Sequence, residues 1–394
     1  MNKFTLNKVN RFVLRKHHLT EDSKGDDVVQ VVKDVCALHA QVPTTPYLSL
    51  FQRMEDFNQK DLERELYQEK SLVKVKCMRG TLFILPRELV APAVAATRRQ
   101  FVKNGALLKQ YAYMQRIFEE SKRDSSPFKA SEETIEKFTK EILDLLQGAE
   151  EGLTVKEIKR ELGTQINISY LVSSLCDRAV LARGETGKWT TAEHKYVLWE
   201  HWLPNVRLEM EEEKARAILI QSYLAAFGPV TENDISWWTG FSKTVVRKTL
   251  REMESEVEKI EIQGLDNTFI LLKSDIAGLG RISGTESSVH LLPRFDAYVA
   301  GYKNRQRLIA QEHQEKVFWK TRGQIAASIL ANGRIVGTWD HKKKGGRLTT
   351  TFALFEQVSD GTVEKIHTEA EKSGEFIAGK EEIKVRTNQT EVKK

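Results

Sequence analysis

Apolar residues recur at helical spacing in ARAILIQSYLAAFG, residues 215–228, and stop at Gly228-Pro229, a strong helix terminator. Thr231 then caps a short helix in TENDISWWTG, with Asp234 at the capping-box position where Glu or Gln is usual. A turn at Gly240 leads to Ser242, which caps SKTVVRKTLREMESE. Two β-rich runs follow, VEKIEIQ and TFILLK, joined by a turn over residues 264–267. Three helices followed by a β-hairpin is the winged-helix order.

The order recurs upstream. SEETIEKFTKEILDLLQ, TVKEIKREL and NISYLVSSLCDRA read as three helices broken by Gly148, Gly152 and Gly163, and VLARGETGKWT as a hairpin turning at Gly187. A looser copy opens the chain: an amphipathic helix through Arg15, a helix from Asp26 to Gln41, and a helix after Pro46. Strand-like LVKVKCMRGTLFILP and a helix from Arg87 complete it. Beyond residue 280 the pattern turns to β. SVHLLPRFDAYVAGY, GRIVGTWDHKKKGGRLTTTFALF and EEIKVRT read as strands with one helix, VEKIHTEAEKSGEFIAG, interposed; the charged end from KSGEF onward is expected to fray. The fold class is therefore α+β. Its expected units are three tandem winged helices over 1–128, 129–210 and 211–280, then a small β-barrel over 281–394. Winged helices bind duplex DNA through the third helix and the wing, and also serve as protein–protein modules.

Composition narrows this frame. Among 394 residues, 40% hydrophobic and 29% charged is globular usage, and no apolar run reaches the eighteen residues of a membrane span. The amino-terminal segment lacks a signal-peptide core. Three scattered cysteines (Cys36, Cys77 and Cys176) form neither a disulfide framework nor a zinc pattern, and read as small buried hydrophobes in a reducing cytoplasm. The formal net charge is +6, but residues 71–124 hold eleven Lys/Arg against four Asp/Glu, and residues 294–347 twelve against four. Two basic segments in an otherwise acidic chain suit an anionic partner contacted at two places, or a solvated surface.

Standard catalytic motifs are absent: there is no phosphate-binding glycine loop, no HExxH and no GxSxG. His17-His18 and Glu200-His201 lack further ligands at metal spacing and read as surface or packing residues. Trp237-Trp238 point about 100° apart on a helix, so at least one belongs to the core. Three polar sets remain. In LHAQVPTTP, His39 and Gln41 sit two apart where Pro43 and Pro46 enforce a helix terminus, so the pair converges to hold a water or forms a polar helix end. In MRGTLF, Arg79 and Thr81 fall on one face of a strand beside Gly80, as a phosphate contact or a buried anchor. In the loop Asp340 to Arg347, Lys342, Lys343 and Lys344 precede a Gly-Gly turn, as a phosphate-backbone contact or an ordinary turn.

Together LHAQVPTTPYLSLFQR, MRGTLFILP, YLAAFGPVTENDISWWTG, LLPRFDAYVAGYKNR and GRIVGTW resemble the AlkZ/YcaQ-like bacterial DNA glycosylases, over roughly residues 5–375. The resemblance implies tandem winged helices and a barrel forming a concave basic surface for duplex DNA, with excision of alkylated bases, N7-alkylguanine adducts and some crosslinks included. It attributes catalysis to a Q-x-Q or Q-x-D motif in the first unit, and requires a β-hairpin in the DNA cleft. Here the first glutamine is replaced by His39 and the second is kept as Gln41, an H-x-Q variant. Histidine can accept a proton from water, so the exchange is chemically permissible. The resemblance thus implies Gln41 orienting water and His39 assisting. Candidate DNA contacts are Arg79, Thr81, Lys342, Lys343, Lys344 and Arg347, with Lys303 and Arg305 in YKNR. Double-stranded DNA is the expected partner, the chain a cytoplasmic monomer, and no metal or organic cofactor is implied. The alternative is a non-catalytic winged-helix DNA-binding protein or transcriptional regulator.

Overall fold

The computed structural model describes residues 2–103, 132–283, 288–319, 323–379 and 382–387. The basic stretch from Ser71 to Asp124 is thus described only to Lys103, and the expected boundary at residue 128 lies outside the described residues, as do residues 388–394. The architecture is mixed α and β, and the chain forms two compact units, Met1–Leu62 with Ala217–Lys394, and Glu63–Arg216.

In the first unit the helix Leu6–Lys16 starts where the Thr5 hydroxyl accepts the Lys8 amide, and it buries Val9, Phe12 and Val13. The next helix is Val28–Asp34, capped by Asp27. The expected helix to Gln41 stops seven residues early. Cys36 takes a left-handed φ of 65°, which no α-helix continues, and Leu38–His39 is extended. After a bend the helix Thr45–Phe51 begins, with Pro46 in its first turn.

The helix Glu212–Phe227 carries its chain into this unit from Ala217. Helices Glu232–Thr239 and Lys243–Glu252 follow with the expected Thr231 and Ser242 caps. Trp238 is buried and Trp237 half-buried. Strands Val257–Ile262 and Thr268–Leu272 pair antiparallel, and Asn2–Phe4 adds to the first of them in parallel. The capping Asp234 does more than end a helix. Its Oδ2 accepts the Thr231 amide and hydroxyl at 2.9 and 2.7 Å, while Oδ1 accepts the amides of Lys303 and Asn304, both at 2.8 Å. A glutamate would be one methylene too long for that double duty, which accounts for the shorter residue.

The carboxy-terminal sheet has five strands in the order Val289–Leu292, Ser328–Ala331, Arg334–Lys344, Arg347–Leu354 and Glu382–Thr387. It curls into a half-barrel whose two edge strands do not pair, so the expected barrel is open. Helix Asp360–Ala378 packs on the sheet, burying Ile366 and Ala370 against Val289, Ile329 and Phe352, and so covers the apolar face that closure would otherwise hide. The segment KSGEF, expected to fray, is the last part of this helix. SVHLLPRFDAYVAGY holds only the strand Val289–Leu292; Ala297–Ala300 is a helical turn capped by Asp296.

The second unit contains the hairpin Leu72–Lys76/Leu82–Pro86 and the helix Arg87–Lys103. Helices Glu132–Gln147, Val155–Glu161 and Ser169–Asp177 follow the expected order and bury Ile142, Leu146, Ile158, Val172 and Leu175. The return strand after Leu181–Arg183 is Lys195–Leu198, beyond the segment expected to supply it, and Leu153–Thr154 also pairs with it to make three strands. All three cysteines are buried, and burial pushes the Cys176 thiol up to about 11, which keeps it inert.

This unit also holds a lysine whose charge burial disfavours more than the Glu63 carboxylate supports it. Lys74 donates to the Tyr67 hydroxyl at 2.6 Å and lies 5.1 Å from that ring, and burial lowers its pKa from 10.5 to about 7. Between those two values the unfolded chain holds a proton the native chain lacks, so this site makes stability rise as pH increases from 7 toward 10.5. Lys74→Met should raise the denaturant midpoint at pH 7 and flatten its rise toward pH 10. Parallel curves for the two proteins would contradict this.

Candidate functional site

Proton transfer needs a group held still near one that can reach substrate. LHAQVPTTP supplies such a contrast. His39 closes a two-residue extended segment and is 7% exposed, whereas Gln41 is exposed in the bend that follows. The strand ends at His39 and Gln41 follows in the bend, so the helix terminus expected around the pair is not formed. The His39 imidazole lies flat against Phe295, with ring centroids 4.4 Å apart and planes 6° apart.

Phe295 belongs to the loop Arg294–Asp296, which three further contacts tie to the helix after the motif and the turn that ends it. The Thr45 hydroxyl donates to the Arg294 carbonyl at 2.7 Å. The Ser49 hydroxyl donates to Asp296 Oδ2 at 2.7 Å. The Arg53 guanidinium forms a two-pronged bond to both Asp296 oxygens at 2.8 Å, with both side chains fully buried. Asp296 also accepts the Tyr298 amide at 2.9 Å. Between these anchors Phe295 is forced to a left-handed φ of 58°, uncommon for a bulky residue. Leu48, on the same helix, packs into the core of the half-barrel sheet with Ile329 and Trp339.

Arg79 and Thr81 are not on one face of a strand. Arg79 and Gly80 have φ of 56° and 71°, and two successive left-handed residues turn the chain between the strands of the hairpin. Thr81 closes the turn, its carbonyl accepting the Cys77 amide at 3.0 Å, and Arg79 is exposed at the tip.

The lysine loop forms as expected. Lys342, Lys343 and Lys344 pair with Thr349, Leu348 and Arg347 across a two-residue turn in which Gly345 and Gly346 have φ of 60° and 74°. All three lysines are exposed. Arg347 is engaged by Glu382 on the neighbouring strand at 2.8 Å. Lys303 is exposed on a loop whose backbone Asp234 holds, while the Arg305 guanidinium stacks 3.7 Å from the Phe318 ring.

That contact leads to a side chain the sequence reading missed. Phe318–Trp319 and Gln324–Ile325 make a second, short hairpin, on which Trp319 is 44% exposed, the one exposed large hydrophobic side chain among the described residues. Its sequence signal was a tryptophan followed by Lys320 and Arg322. No cluster of three or more metal-ligating side chains occurs among the described residues, and none of their helices is long and apolar enough to cross a membrane.

Comparison with known proteins places this geometry in context. Residues 32–376 match the family described as DNA glycosylase AlkZ-like. An interstrand DNA cross-link repair glycosylase of Streptomyces sahachiroi is 25% identical over 345 residues, covering 82% of this chain and 83% of that protein. The solved structure of Streptomyces sahachiroi DNA glycosylase AlkZ superposes with a TM-score of 0.70 at 22% identity, over 98% of this chain and all of that one.

Proposed function

The chain belongs to the AlkZ-like DNA glycosylase family, and from that premise we propose that it excises alkylated purines from double-stranded DNA by water attack at C1′. The substrate class is N7-alkylguanine; crosslinked forms are included because the Streptomyces relative is an interstrand DNA cross-link repair glycosylase. Such a base carries positive charge and leaves without a strong general acid, so the protein has only to place a water and stabilise an oxocarbenium-like sugar. Gln41 orients that water and His39 assists as base or second hydrogen-bond partner. The observation that carries this reading is a His39 ring stacked in place two residues before an exposed Gln41.

The frame is read as three winged helices, 1–128, 129–210 and 211–280, before the sheet-rich domain 281–394, acting as a cytoplasmic monomer without metal or organic cofactor. Lys342, Lys343, Lys344, Lys303 and Arg79 contact phosphates, Thr81 shapes the turn that presents Arg79, and Arg305 and Arg347 contact DNA while bracing their own loops. Each phosphate contact contributes about 0.9 to the slope of log affinity against log salt for duplex DNA. Replacing all three hairpin lysines by glutamine should therefore weaken duplex binding and flatten that slope by about 2 to 3. An unchanged slope would place the hairpin away from DNA.

One observation favours a second reading. His39 is 7% exposed, a degree of burial that also suits a packing residue in a non-catalytic DNA-binding protein or regulator. Single-turnover incubation with duplex DNA carrying N7-methylguanine separates the two. Release of the free base, leaving an abasic site and intact strands, supports the glycosylase. Tight binding without release, on bulky adducts and crosslinks as well, supports the regulator.

A further inference from the structure

We propose that Phe295 is the positioning residue of the H-x-Q site, a ring held in place by the buried Arg53–Asp296 pair so that it fixes the plane of the His39 imidazole. The inference rests on the proposed role of His39. A histidine differs from the amide it replaces in the family motif by being a flat ring, and it keeps its nitrogens aimed only if the ring cannot rotate. Here the face-to-face contact at 4.4 Å and 6° supplies that restraint. The restraint is itself anchored. Phe295 sits between Arg294, whose carbonyl is bonded by Thr45, and Asp296, which Arg53 and Ser49 hold at zero exposure. Thr45 and Ser49 lie on the helix that begins four residues after Gln41 and Arg53 in the turn that ends it, so the loop is locked to the segment that follows the motif. The left-handed backbone at Phe295 is the conformation those anchors impose, and leucine or tyrosine meets the same strain there as phenylalanine. Side-chain replacements at this position therefore read the ring and not the backbone.

Three variants test this: Phe295→Leu, which keeps the site apolar without a ring, Phe295→Tyr, which keeps the ring, and Phe295→Leu combined with His39→Ala. The probes are duplex DNA containing N7-methylguanine and the imidazole proton resonances of His39. Phe295→Leu should slow single-turnover base release about tenfold or more, as small misplacements of a catalytic group do, and leave duplex affinity unchanged. It should also remove the ring-current shift from the His39 signals. Phe295→Tyr should restore both. In the His39→Ala background the leucine variant should have no further effect, because contacting residues are non-additive when one acts through the other. An equal loss from Phe295→Leu in both backgrounds, or unmoved His39 signals, would overturn the positioning role while leaving the catalytic reading intact. Undiminished base release by His39→Ala alone would instead remove the catalytic role of His39, and this inference with it.

Discussion

Asp296→Ala should destabilise the first unit by about 3–5 kcal/mol, the penalty for removing one partner of a buried ion pair. Arg53 and Asp296 are both fully buried, and their two parallel bonds leave the guanidinium and carboxylate mutually neutralised. Alanine removes the acceptor but leaves the cation in a place water does not reach, together with the Ser49 hydroxyl and the Tyr298 amide that Asp296 had satisfied. Against a typical total stability of about 5–15 kcal/mol this is a large share. Denaturant titration checks it: the midpoint should fall with the slope unchanged. Replacing both partners, as Arg53→Met with Asp296→Leu, should recover much of the loss, since no charge is then stranded. A loss below about 1 kcal/mol for Asp296→Ala, the range of an exposed pair, would mean that the site is wet.

The fold was legible wherever local chemistry sets structure. The Thr231 and Ser242 caps, the Gly345-Gly346 turn and the helix Glu132–Gln147 all rest on interactions within a few residues, and each was readable from spacing alone. The misreadings occur where distant partners decide. Nothing local in the valine-rich stretch after Asp26 ends a helix at Asp34, and its continuation to Gln41 was the natural reading. Likewise LLPRFDAYV reads as a continuous apolar strand. Its strand ends at Leu292, before Pro293, and Thr45, Ser49 and Arg53, more than 240 residues away in sequence, bond the loop that follows. The same separation hid the stacking of Phe295 on His39. The candidate pair His39 and Gln41 was readable from its local spacing and from a family motif, while what holds the His39 ring was not. Arg79 was misplaced for a simpler reason: a glycine within a strand pattern marks a turn as readily as a bulge.

Gln41→Ala should reduce base excision by about 10²-fold or more, within the range for loss of a group that positions or activates a nucleophile. Gln41 is exposed in a bend and is not part of a core, so its truncation removes a hydrogen-bonding amide and little packing. Stability should change by under about 0.5 kcal/mol, as for an ordinary surface substitution, and duplex affinity should stay with the phosphate-binding lysines. The loss should thus fall on the chemical step, with binding and folding intact.

The most direct test is release of 7-methylguanine from methylated duplex DNA, followed side by side for the wild type and Gln41→Ala. Release by the wild type that collapses in the variant, at equal duplex affinity, is the predicted result and would show that an H-x-Q site performs excision. Equal release by both would contradict the role given to Gln41, and tight binding without release by either would contradict the glycosylase itself.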